Sequence, residues 1–297
     1  DGLIVYPNHG AGSACGKNMS KETTDTLGHQ KEVNYALNPA LSKEEFIKSI
    51  LTGLTPPPGY FPKNVLMNIQ GYESLDTVLE RGHKALTAEN FEMVANETNA
   101  LVLDTRNATD FANGFIPNSI NIGLDGSFAQ WVGEMIPDIK QEILLVSNPG
   151  YEDEAMIRLS RVGYDGSIGY LEGGFDTWKK AGKEVDTVKR ITAEKFAEIY
   201  ENEKPLTIDI RKRSEFQSQH LTDAINIPLN EINNHLAEFP KDKPFILHCA
   251  GGYRSMIAAS MLKQRGWDNF SDVIGGFTEI AKTNVPKSEY VCPSTML

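Results

Sequence analysis

The chain has 297 residues, enough for two or three ordinary domains, and the composition of a globular protein. A net charge of −11 argues against a nucleic acid or an anionic membrane as the main partner, while leaving room for one local positive pocket. Cys15, Cys249 and Cys292 lie too far apart for a disulfide framework or a Cys-x-x-Cys metal site, and no apolar run is long enough to span a bilayer, so a reduced, cytoplasmic setting is the simplest reading.

In chain order, Leu3-Ile4-Val5-Tyr6 reads as a strand already under way, and no signal-peptide pattern precedes it. With Asp1 in place of Met, this suggests a processed product or a fragment of a longer polypeptide. A glycine-rich loop comes next, His9-Gly10-Ala11-Gly12-Ser13-Ala14-Cys15-Gly16. Ser42-Lys43-Glu44-Glu45 has capping-box spacing. Phe46, Ile47, Ile50, Leu51 and Leu54 give the helix it starts an apolar face, and Pro56-Pro57-Pro58-Gly59 stops it. Residues 1–85 look too small and irregular for a core of their own and read as a tail and linker.

Beyond residue 85 the chain repeats itself. Leu86-Thr87-Ala88-Glu89-Asn90-Phe91 returns as Ile191-Thr192-Ala193-Glu194-Lys195-Phe196. Asp104-Thr105-Arg106 returns as Asp209-Ile210-Arg211, Ser119-Ile120-Asn121-Ile122 as Ala224-Ile225-Asn226-Ile227, and Gly173-Gly174-Phe175 as Gly275-Gly276-Phe277. Order is preserved and the offset drifts only slightly, which implies two homologous domains, 86–185 and 186–297. In the second, Thr192 caps a helix carrying Phe196, Ile199 and Tyr200. Leu206–Ile210 and Phe245–His248 read as strands, Leu229–Glu238 as a helix with Ile232 and Leu236 on one face, and Arg254–Arg265 as a helix closed by Gly266. Alternating strands and helices predict an α/β fold with a parallel sheet.

Chemistry concentrates in His248-Cys249-Ala250-Gly251-Gly252-Tyr253-Arg254-Ser255. A buried strand ends at Cys249 and a helix begins a few residues later, where the ligand crevice of an open α/β sheet lies. The helix start offers free N–H groups and a positive dipole end, and Gly251 and Gly252 let the backbone curl so that several amides point inward. This cradle favours a thiolate at Cys249 and would hold the outer sulfur of a persulfide. Arg254 adds a planar donor fork for a sulfonate, and Ser255 a hydroxyl donor. The plain alternative for Cys249 is a small buried residue at a strand end.

These residues resemble the rhodanese family of sulfurtransferases across both repeats. In the second repeat the likeness includes Asp209-x-Arg211, Glu215-Phe216, Ile225-Asn226-Ile227-Pro228, the loop from Cys249 to Arg254, and Gly275-Gly276-Phe277. It implies that Cys249 is the nucleophile and that Ala250, Gly251, Gly252, Tyr253 and Arg254 form the binding loop. Gln219-His220 departs from the family's Gly-His at a turn. Four residues separate Cys249 from Arg254. Phosphatases of similar fold use five, a wider ring that suits phosphate. In the first repeat the matching stretch is Ser147-Asn148-Pro149-Gly150-Tyr151-Glu152-Asp153-Glu154, with no cysteine. Its carboxylates would satisfy the helix start and repel an anion, so a structural or interaction domain is expected. Ser147 as a nucleophile would lack an obvious base.

Tyr6-Pro7-x-His9-Gly10-Ala11-Gly12-Ser13-x-Cys15-Gly16-Lys17 and Leu27-Gly28-x-Gln30 resemble the last part of metallo-β-lactamase-fold persulfide dioxygenases fused to rhodanese domains. This implies a C-terminal remnant of an αββα domain, with His9 near its metal pocket. The family's His-x-His-x-Asp-His motif is absent and a lone His9 cannot hold a catalytic metal, so iron or zinc is implied only for a complete parent protein. His9, Cys15 and His29 then read as a loop remnant.

His248 should point away from the Cys249 side chain by strand alternation. Cys292 reads as an incidental tail cysteine, with a relay thiol as the alternative. Arg211 and Glu215 should order the sheet edge by ion pairing, and Trp178 and Phe277 should anchor cores. Together these readings predict a sulfurtransferase that needs no metal or organic cofactor, takes sulfur from thiosulfate or a small persulfide, and passes it to a thiol. A homo-oligomer is left open. A phosphatase or arsenate reductase on the same fold, and a non-catalytic binding module, are the alternatives.

Overall fold

A computed structural model of the chain describes residues 1–7, 22–52 and 59–291. These fall into two compact units, 1–52 and 59–291. The first holds a two-stranded antiparallel pair, β1 (Ile4–Val5) and β2 (Asp25–Thr26), then α1 (Leu27–Val33) and α2 (Lys43–Leu51). The capping box of α2 is present. Ser42 Oγ accepts from the Glu45 N–H at 3.2 Å, and the Ser42 N–H donates to Glu45 Oε2 at 2.8 Å. Phe46, Ile47 and Leu51 remain exposed. Leu54 and Pro56-Pro57-Pro58 lie outside the described residues.

The second unit opens with α3 (Phe61–Gln70) and α4 (Leu75–Gly82). The first repeat then runs β3 (Ala85–Leu86), α5 (Ala88–Glu97), β4 (Leu101–Asp104), α6 (Ala108–Asn113), β5 (Ile120–Asn121), α7 (Phe128–Met135), β6 (Ile143–Val146), α8 (Glu152–Ser160), β7 (Ser167–Leu171) and α9 (Phe175–Lys180). The second runs β8 (Arg190–Ile191), α10 (Ala193–Glu203), β9 (Leu206–Asp209), α11 (Arg213–Ser218), β10 (Ile225–Asn226), β11 (Phe245–His248), α12 (Tyr253–Gln264), β12 (Phe270–Val273) and α13 (Gly276–Ile280). α4 packs against α8 and β7, and the Tyr60 ring stands over Gly133 of α7, so the stretch read as a linker contributes helices to the first repeat.

Both sheets are parallel and share one order, β3-β7-β6-β4-β5 and β8-β12-β11-β9-β10. Matching caps start the matching helices: Thr87 Oγ1 accepts from the Asn90 N–H and Thr192 Oγ1 from the Lys195 N–H. The central strands β6 and β11 are buried throughout, as their unbroken apolar runs require. The segment Leu229–Glu238 departs from the α-helix expected there. It forms two 3₁₀ turns, Leu229–Asn234 and Leu236–Glu238. Pro228 opens the segment and His235 separates the two turns, and i to i+3 bonds close each of them while Ile232 stays buried.

Strand alternation sorts the core. Leu103, Ile143 and Leu145 of the first sheet join Phe245, Leu247 and Cys249 of the second in one continuous apolar cluster. Val102, Leu144 and Val146 face a separate cluster with Phe91 and Trp178, and Ile246 faces another with Phe196 and Tyr200. Trp178 is therefore a core residue, as expected. α12 lies in the shared cluster, with Ser255 through Leu262 all buried, and it packs against β5 of the first repeat. A helix buried on every side needs such a second neighbour.

Candidate active site

Cys249 follows the last residue of β11 and is 1% exposed. Its side chain faces the shared cluster, whereas His248 points to the opposite face toward Phe277. The chain then turns through Ala250, Gly251 and Gly252 into α12. Gly252 sits at the N-cap with φ +103, a conformation that favours glycine, and its N–H donates to Cys249 Sγ at 3.1 Å. The Met256 N–H bonds the Gly252 carbonyl, so the first-turn amides of Tyr253, Arg254 and Ser255 have no carbonyl within the helix to bond. Gly251 is exposed, with open space where a β-carbon would stand. The result is a narrow cup with the sulfur at its base and a backbone amide fixed on it.

The cup rests on a second turn. The Phe277 N–H donates to the Cys249 carbonyl at 2.7 Å, and the Thr278 N–H and Oγ1 donate to the Ala250 carbonyl at 3.0 and 2.9 Å. This approach explains the Gly-Gly-Phe motif, because a β-carbon on Gly276, at φ +53, would stand 2.4 Å from the Cys249 oxygen. His248 Nδ1 lies 3.2 Å from the same oxygen, which can only accept, so Nδ1 carries the hydrogen. Burial pushes the His248 pKa down, and the ring is a neutral anchor for the backbone.

The side chains of the loop are arranged differently from the sequence expectation in three places. Ser255 is fully buried and its hydroxyl donates to the Gly252 carbonyl at 3.2 Å, closing the first helical turn instead of adding a donor to the ring. The Tyr253 side chain leaves the cup and reaches the first repeat, where its hydroxyl donates to the Gly123 carbonyl at 2.7 Å. Arg254 is held by two hydrogen bonds to Glu215, at 2.5 and 2.8 Å. Burial alone would raise the Glu215 carboxyl, but the Arg254 guanidinium outweighs it and holds the group below the usual carboxylate range. Glu215 thus pairs with Arg254, and Arg211 pairs with Asp209 at 2.6 Å beneath the Phe277 ring. Gln219 is extended backbone that any residue adopts, which accommodates the departure from Gly-His.

Sequence reasoning missed an ion pair beside the loop, between the half-buried Arg190 and the buried Asp272. Arg190 Nε donates to Asp272 Oδ2 at 3.0 Å, and a β-carbon on Gly252 would stand 3.5 Å from Arg190 Nη2. Burial pushes Asp272 up to about 6, against the pull of the Ser255 side chain and of Arg190. At the same register the first repeat has Ala85 and Tyr170, so comparing the repeats for charges on buried strands would have revealed the pair.

The corresponding loop of the first repeat is closed. The Gly150 N–H, which matches that of Gly252, donates to Glu152 Oε2 at 2.8 Å. Ser147, in the place of Cys249, is buried and shares a 2.7 Å hydrogen bond with Thr105. Of the other candidates, His29 pairs with Asp25 at 2.7 Å in the first unit, and His9, Cys15 and Cys292 lie outside the described residues.

Comparison with known protein families finds the rhodanese-like domain twice, over residues 87–181 and 192–283. The chain belongs to the rhodanese-like family. Among individual relatives of this rhodanese-like protein, the uncharacterized protein YqhL of Bacillus subtilis (strain 168) is 36% identical over 90 residues, covering 30% of this chain and 70% of the relative. The thiosulfate sulfurtransferase GlpE of Pseudomonas syringae pv. syringae is 30% identical over 99 residues, covering 33% of this chain and 92% of the relative. A crystal structure of a metallo-beta-lactamase from Staphylococcus aureus subsp. aureus COL aligns with 29% identity and a TM-score of 0.43, over 57% of this chain and 45% of that one. Among the described residues no helix is long and apolar enough to cross a membrane.

Proposed function

We propose that the second repeat is a sulfurtransferase that carries sulfane sulfur on Cys249. The observation that supports this best is the Gly252 N–H fixed on Cys249 Sγ at the start of α12. Cys249 thiolate attacks the outer sulfur of thiosulfate; the S–S bond of the donor breaks and sulfite leaves with its electron pair. With a low-molecular-weight persulfide the leaving group is the corresponding thiolate. The first-turn amides hold the charge on the bound sulfur, and Arg254, fixed by Glu215, adds a positive field at the helix entrance. An acceptor thiolate then attacks that sulfur and releases Cys249. No metal or organic cofactor enters this step.

Incubation with thiosulfate or glutathione persulfide, followed by intact mass, should add one sulfur atom to the wild-type chain and none to Cys249→Ser. Aryl-phosphate hydrolysis without the adduct would favour a phosphatase, and neither signal a binding module. By its resemblance at Tyr6–Lys17, we also propose that the first unit belongs to a longer persulfide dioxygenase fusion. Among the described residues no group of three or more His, Cys, Asp or Glu side chains gathers as a metal site. The upstream reading frame tests the fusion: the His-x-His-x-Asp-His motif should be found there.

A further inference from the structure

Tyr253 stands between Gly252, whose amide holds the sulfur, and Arg254, yet its side chain belongs to the first repeat. Its hydroxyl donates to the Gly123 carbonyl at 2.7 Å, and its ring lies so close to Gly126 that a β-carbon there would stand 2.4 Å from Cε2 and Cζ. Burial, with Asp125 beside it, pushes the phenol far above its ordinary range, so it remains a donor. Two further ties run the same way. Ser260 Oγ of α12 accepts from the Asn121 N–H at 2.9 Å. Arg190, beside Gly252, donates through Nη1 to Thr109 Oγ1 at 3.2 Å. The sulfur-bearing loop is thus fastened to a domain that lacks the nucleophile.

We propose that Tyr253 is a positioning residue through which the first repeat sets the geometry of the Cys249 loop, with Gly123 and Gly126 as its seat. The inference rests on the sulfur-transfer reading of Cys249 and gives the silent repeat a role in that transfer. Gly126 belongs to the other repeat, far along the chain from the sulfur, and its φ is not in the left-handed region, so Gly126→Ala perturbs the seat alone.

The test uses the full chain and two readouts: single-turnover sulfur uptake from thiosulfate, and alkylation of Cys249 by iodoacetamide mapped by peptide mass. Gly126→Ala should slow uptake about tenfold, since displacements near 1 Å cost up to about a hundredfold. It should change the alkylation rate about threefold or more. Both effects should vanish in a Tyr253→Leu background, because the clash needs the ring, whereas damage confined to the first repeat would persist. Unchanged rates in Gly126→Ala, or the same loss with Leu at 253, overturn the proposal. Should wild type take up no sulfur, the sulfur-transfer reading falls and alkylation alone decides the coupling. If Gly126→Ala fails to fold, Tyr253→Phe carries the test: uptake slowed about threefold supports the proposal and an unchanged rate overturns it.

Discussion

The two repeats share strand order, capping threonines and the buried Asp-x-Arg pairs, and they differ at the backbone amide that faces the loop. In the second repeat the Gly252 N–H points at Cys249 Sγ; in the first, the equivalent Gly150 N–H is occupied by the Glu152 carboxylate. Glu152 stands where Arg254 stands in the other copy, and its neighbour Tyr151 is exposed while Tyr253 is docked. A helix start attracts whatever anion is at hand. The first repeat supplies its own, and the second leaves the position to a sulfur. The proposed sulfur transfer therefore rests on a few side chains at the helix entrance.

The largest effect should come from transplanting that entrance. In a Cys249→Ser background, Ser147→Cys alone should take up no sulfur, because Glu152 still fills the loop. Ser147→Cys with Glu152→Arg should show a sulfur adduct by intact mass. An adduct on the single variant would break the comparison. Next come the paired glycines. Gly276→Ala should cost about 3 kcal/mol of stability from backbone strain and overpacking and also lose sulfur uptake. Gly174→Ala, at φ +71 with a β-carbon 2.8 Å from the Ser147 oxygen, should lower thermal stability while leaving uptake intact. Arg254→Gln, which removes the charge and also leaves Glu215 without its partner, should reduce kcat/KM for thiosulfate by about 10- to 100-fold and lower thermal stability as well.

The last effect concerns pH and touches stability alone. Asp272 is raised to about 6 from an ordinary value of 3.8, so the folded state binds its proton more tightly than the unfolded state does. Its stabilising contribution is present below 3.8 and lost as pH rises through about 6. Relative to Asp272→Asn, wild type should therefore lose roughly 2–3 kcal/mol between about pH 4 and about pH 7, measured by denaturant unfolding. His248 acts in the opposite direction. Its buried ring is held neutral, so stability falls as pH drops through 6.5, the ordinary histidine value.

What sequence made legible is local or periodic. The tandem repeat, the capping threonines, the buried run at Phe245–His248 and the Cys249–Arg254 loop are all set by neighbours within a few residues. The side-chain partners were not legible. Arg254 finds Glu215 39 residues away, Tyr253 finds Gly123 130 residues away, and Arg190 finds Asp272 82 residues away. The spacing of a motif says which groups converge but not which of them are already engaged. The 3₁₀ turns at Leu229–Glu238 were hidden for a different reason. Ile232 and Leu236 fit a helical face, but the asparagines between them weaken the continuous helix that the pattern suggests.

The position of α12 between the copies has a cost for the molecule as a whole. One side leans on its own sheet and the other on β5, so the helix that begins at the reactive loop is a beam shared by both halves. Severing the gene between residues 185 and 186 would strip the beam of its outer wall and leave Ser260 and the apolar residues beside it facing water. The repeat without the cysteine is thus a wall that the cysteine-bearing repeat cannot shed.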